Sequence, residues 1–183
     1  MKSSESASST LKKEQQFIWH CLAKGTLVTM ADGTTLPIEQ LNNTDTVLTS
    51  GGVTLPVRAT SQAPASRDEV LTIEGASGHF LTLSDGCIVW TSAGPLQAGE
   101  LKIGDKIITL DGKDTISSIE RRAYNGQLYN LHLGNGEQPG AMSVSGTNFF
   151  ANGILVGDHQ VQTAYLNNAL TDKEYVLSKL PQE

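Results

Sequence analysis

Cysteine is scarce in this chain: two residues, Cys21 and Cys87, in 183. No Cys-x-x-Cys pair occurs, which excludes a disulfide-dense scaffold and the usual zinc modules. Aromatic residues make up only 5% of the sequence, against 18 glycines. Positive charge is also short. The net charge of -6 and a pI near 5.2 argue against nucleic acid as a partner, because phosphate binding needs a basic face. No apolar run approaches the length of a membrane span, so no membrane partner is expected. The opening MKSSESASSTLKKEQQ lacks the apolar core of a signal peptide. The location expected from these features is cytoplasmic, or within a larger secreted precursor.

What remains is a chain of one domain's length with 38% hydrophobic residues. Its Ser-rich start is expected to be disordered. The pattern Leu11, Phe17, Ile18, Trp19 predicts a short helix before Cys21. From there short strands alternate with turn signals. LVTM-ADG-TTLP and TVLTS-GG-VTLPV read as hairpins turning at Asp32-Gly33 and Gly51-Gly52. Further strands are EVLTI, HFLTL, CIVWT, DKIITL, DTISSIE and QLYNLHL. The fold class is all-β. One or two helices are expected between Gln160 and Leu180, the second behind a capping box from Thr171 to Glu174. The tail after Gln160 reads as a solvated amphipathic helix.

An internal repeat stands out. LNNTDTVLT from Leu41 and LKIGDKIIT from Leu101 lie sixty positions apart, each with an Asp (Asp45, Asp105) before its strand and a proline upstream, Pro37 and Pro95. Two copies predict two related hairpin units packed with pseudo-two-fold symmetry. The paired aspartates read as turn caps rather than catalytic groups.

Cys21 stands where the leader meets the first strand. A thiol there can attack the carbonyl of His20 and exchange an amide for a thioester, an N–S acyl shift. The step needs the peptide held against the thiol, a proton for the departing amine, and donors for the oxyanion. The other reading is a buried core thiol, since free cysteine is among the most buried residue types.

Three stretches together resemble Hint domains, the fold of inteins, bacterial intein-like domains and hedgehog autoprocessing domains. CLAKGTLVTMADGTTLPIEQL, from Cys21, resembles the opening block with its nucleophilic Cys. LTLSDGCIVWTSAGPLQAGELKIGDKI, from Leu81, resembles the second block. LYNLHL with TNFFANGILVGD resembles the closing block. The resemblance implies a Hint fold over residues 21–158, a leader over 1–20 and a helical extension over 159–183.

It also implies roles. Cys21 matches the nucleophile and Ser84 the hydroxyl of the second block. Cys87 stands where the family has histidine, and a thiol is the poorer proton donor at neutral pH. Gly157 and Asp158 replace the closing His-Asn. Asp has no amide nitrogen with which to cyclise, and His159 is not an acyl acceptor, so splicing is unsupported. Asp158 and His159 are nonetheless kept as candidate site residues, His159 as a substitute proton donor. The implied activity is single-turnover self-cleavage before Cys21, with the chain's own N-terminal segment as substrate and water, a thiol or an amine opening the thioester. The alternative is a catalytically silent Hint domain serving as a binding or structural module. If the second-block position points at the nucleophile, Cys21 and Cys87 lie within disulfide reach. No cofactor is called for; His20, Cys21, Cys87 and His159 carry no zinc-ligand spacing.

Overall fold

The computed structural model describes residues 21–64, 69–134 and 147–171. The leader with its expected helix and disorder, His20, and the capping box beyond Thr171 lie outside the described residues.

The repeat is visible strand by strand. In the first unit β2 (Leu27–Thr29) pairs with β3 (Thr35–Pro37) in the register Val28↔Leu36, and a one-turn 3-10 helix follows at Ile38–Gln40. In the second, β8 (Ile88–Thr91) pairs with β9 (Gly94–Gln97) as Val89↔Leu96, followed by a 3-10 turn at Ala98–Glu100. The repeated aspartates then do the same job. Asp45 Oδ2 accepts from the Asn42 amide at 3.0 Å, and Asp105 Oδ2 from the Lys102 amide at 2.8 Å. Each closes a tight turn by giving a backbone donor a local acceptor. The strands that follow are β4 (Thr46–Leu48) and β10 (Lys106–Thr109).

Each unit then sends out a long arm, β5 (Thr54–Pro64) or β11 (Gly112–Ala123). The arms are exchanged. β5 pairs with β12 (Gln127–Leu133), and β11 with β6 (Glu69–Gly75). Each arm therefore pairs with the strand that follows the other unit's arm, which interlocks the halves. Two contacts cross the pseudo-two-fold axis. β1 (Leu22–Ala23) meets β7 (Phe80–Leu83) through Leu22↔Leu83. On the other side, β13 (Asn148–Ala151) and β14 (Ile154–Gly157) form a hairpin. Its two-residue turn puts Asn152 at φ 49° and Gly153 at φ 81°. Both residues are left-handed, which suits the right-handed twist of the flanking strands and explains the Asn-Gly pair.

The core runs along this axis. Val28, Val47, Ile73, Leu81, Leu83, Val89, Ile107, Phe149 and Ile154 are fully buried. Side chains of this kind each contribute roughly 1.5–3 kcal/mol when removed from water. Between Gln160 and Thr171 there is one helix, α1 (His159–Thr171), and it does not stand in solvent. Val161 and Gln162 are buried, and Tyr165 Oη donates to Glu100 Oε1 at 2.8 Å.

Candidate active site around Cys21

The chain is clamped on both sides at Cys21, the residue just before strand β1. The Cys21 amide donates to the Tyr129 carbonyl at 3.1 Å, and the Cys21 carbonyl accepts from the Ser84 amide at 2.8 Å. The nitrogen of the peptide bond that would break is therefore held on β12, next to the axis. The axis contact Leu22↔Leu83 places position 21 opposite position 84. In this way the chain's doubled architecture sets the predicted thiol against the predicted hydroxyl.

Cys21, Ser84 and Cys87 come together, all buried. Both cysteines are free thiols, so the disulfide weighed from the sequence is not formed. Burial, and after it hydrogen bonding to and charge repulsion from Cys87, push the Cys21 thiol well above its ordinary value; a hydrogen bond with Ser84 pulls the other way. The sulfur is thus a neutral thiol at neutral pH and needs help to become a nucleophile.

The sulfur also has a polar neighbour that sequence reading passed over. Asn130 is 1% exposed, and its Nδ2 lies 3.7 Å from Cys21 Sγ. Its other Nδ2 hydrogen goes to Gln162 Oε1 at 2.9 Å. Gln162 Nε2 in turn donates to the Gly86 carbonyl at 3.1 Å, between Ser84 and Cys87. The available signal was one amide in the middle of an apolar run, Leu128-Tyr129-Asn130-Leu131. A buried polar side chain in such a place must have partners.

Asp158 and His159 stand at the start of helix α1. Asp158 is the N-cap of α1. Its carboxylate accepts from Thr147 Oγ1 at 2.6 Å, the Val161 amide at 3.0 Å and the Leu133 amide at 2.9 Å. Despite these donors burial dominates, and its pKa rises to about 6. His159 packs its ring on His132, with centroids 5.1 Å apart. Gly157 fits no larger residue as the helix stands: a Cβ there would meet Val161 Cγ1 at 2.8 Å.

A second polar pair was also missed. His79, expected on a loop, places Nδ1 2.8 Å from Oδ2 of buried Asp114, whose Oδ1 accepts from the Ser77 amide. Burial raises the Asp114 pKa, but these hydrogen bonds outweigh it and leave it lowered. His79 borders a cavity of about 630 Å³ that also touches Ala23 and Thr82. Among the described residues no group of three His, Cys, Asp or Glu side chains is placed to hold a metal.

Interlocked hairpin units around one axis, with the N-terminal strand at their centre, are the Hint or intein-type fold. Among solved structures the chain is similar to the bacterial intein-like domain from Clostridium thermocellum, at 17% identity and TM-score 0.63, covering 76% of this chain and 99% of that one. It is similar to the gp41-1 intein at 20% identity and TM-score 0.61, over 75% and 98% of the two chains. A DnaB intein from Synechocystis sp. PCC 6803 gives 16% identity and TM-score 0.59, over 75% and 97%. Similarity at this level is one of fold. No protein-family model and no curated protein sequence matches the chain.

Proposed function

We propose that this is a non-splicing autoprocessing domain in which Cys21 cuts the chain on its own N-terminal side. Cys21 Sγ bonds to the carbonyl carbon of residue 20, and the bond from that carbon to the Cys21 nitrogen breaks. The thiol proton ends on the nitrogen, so the shift balances without a cofactor. Water, a thiol or an amine then opens the thioester, releases residues 1–20 and returns the Cys21 thiol.

The observation that carries this reading is the meeting of Cys21, Ser84 and Cys87 immediately before the first strand. The Tyr129 carbonyl holds the leaving nitrogen, and Asn130 offers the sulfur a donor. Splicing is not part of the reading, since position 158 is a helix cap without a nucleophilic amide. The test is the intact mass of the protein incubated with a small thiol from mildly acidic to alkaline pH. Loss of residues 1–20 from the native chain, and its absence in Cys21→Ala, is the expected result. A native chain of unchanged mass over the whole range refutes self-cleavage.

A further inference from the structure

Helix α1 follows the closing strand β14, yet it returns a buried polar side chain to the thiol at the start of the chain. Gln162 is 1% exposed and makes two hydrogen bonds in opposite senses. Its Nε2 faces a carbonyl, Gly86, and its Oε1 faces an amide nitrogen, Asn130 Nδ2. Turning the Gln162 amide over would set oxygen against oxygen and N–H against N–H. Its orientation is therefore fixed by the backbone at Gly86. That fixes Asn130 in turn. One Nδ2 hydrogen is taken by Gln162, Oδ1 accepts from the Leu131 amide at 2.8 Å, and the remaining hydrogen is left to face Cys21 Sγ.

We infer that Gln162 is a positioning residue for Cys21: it fixes the Asn130 amide so that an N–H points at the sulfur and stabilises the thiolate. The inference rests on the reading of Cys21 as a nucleophile, but it has a consequence that does not depend on cleavage. The relay Gly86–Gln162–Asn130–Cys21 couples a C-terminal helix to the protonation of an N-terminal thiol. Helix α1 holds its place independently of this relay, through the Asp158 cap and the Tyr165–Glu100 hydrogen bond. Gln162 can therefore be changed without releasing the helix.

The test is a pH titration of Cys21 by carbon NMR of its labelled Cβ in the full chain, with leader release followed by mass in parallel. Gln162→Met keeps the length of the side chain and removes both hydrogen bonds. It is expected to raise the Cys21 midpoint by about one pH unit, a roughly tenfold loss of thiolate at a given pH, the size of one hydrogen bond to a charged group. Should Gln162→Met fail to fold, Asn130→Leu tests the same relay and must give the same upward shift. An unmoved midpoint in a folded variant, whatever happens to its thermal stability, overturns the inference. A raised midpoint in a chain that never releases its leader supports the relay and fails the cleavage reading alone.

Discussion

Asp158 gives the sharpest prediction about stability. Its carboxyl is fully buried and its pKa stands at about 6, against an ordinary 3.8, with desolvation the leading cause. A raised acid binds its proton more tightly in the folded chain than in the unfolded one. Its favourable contribution is therefore complete below about pH 4 and is lost as pH rises through about 6. The difference of roughly two units corresponds to about 3 kcal/mol between those limits. This is a sizeable part of the roughly 5–15 kcal/mol that holds a domain of this kind folded. Asp158→Asn removes the titration while keeping the shape. It also sets an N–H₂ among donors from Thr147, Leu133 and Val161, so its absolute stability falls. That penalty does not vary with pH, whereas the removed term does. Urea unfolding of both proteins from about pH 4 to about pH 7 should give curves that are not parallel, the native protein losing about 3 kcal/mol relative to the variant as pH rises. Parallel curves would show that the hydrogen bonds to the Asp158 carboxylate cancel its desolvation, and a slope of opposite sign that they exceed it; either would refute desolvation as the dominant effect.

Two further substitutions test the packing around the site. Gly157→Ala drives a Cβ to 2.8 Å from Val161 Cγ1 and should cost about 1–3 kcal/mol in thermal or urea unfolding; Val161→Ala added to it should recover part of the loss, whereas two additive losses would place the strain elsewhere. His79→Ala leaves Asp114 buried without its imidazole partner and should cost about 1–3 kcal/mol with no change in the rate of leader release. Because the Asp114 pKa is lowered, its contribution holds above the ordinary carboxylate value and is lost as pH falls below it, and His79→Ala should weaken that acid dependence.

The parts of the molecule legible in its sequence are those where one residue type has one structural use. Asn152-Gly153 names its turn because few other pairs accept two left-handed positions in a row. Asp45 and Asp105 announce their turns because short carboxylates bind nearby amides. The sixty-residue repeat shows the doubling because both units must bury the same faces. What stayed hidden depends on partners far along the chain. Asn130 and Gln162 are separated by 32 positions and Gly86 from Gln162 by 76, with no local pattern to link them. Helix α1 read as solvated because it turns a glutamine inward beside Val161, which breaks the apolar stripe that would mark a docked face. His79 and Asp114 meet only because β11 crosses to β6, a pairing made by the exchanged arms. That exchange is set by the packing of the two halves, which no single segment encodes.

The doubled scaffold also explains why the site is buried. The strands of both units come in equivalent pairs about the axis, and the β13–β14 hairpin spans it. Among the described residues helix α1 has no such counterpart. A symmetric shell would treat position 21 and its mate opposite β7 alike. Helix α1 breaks that equivalence by capping itself on Asp158, filling the space beside Gly157 with Val161 and placing Gln162 between Asn130 and Gly86. Cys21 itself is removed from water, which raises its pKa, and the amide that Gln162 orients is the group that offsets this. A buried neutral thiol is a poor target for reagents in solution, since the thiolate is the reactive form. Under the proposed cleavage, such a thiol would react only with a group brought directly to it, as the peptide bond on its own N-terminal side would be.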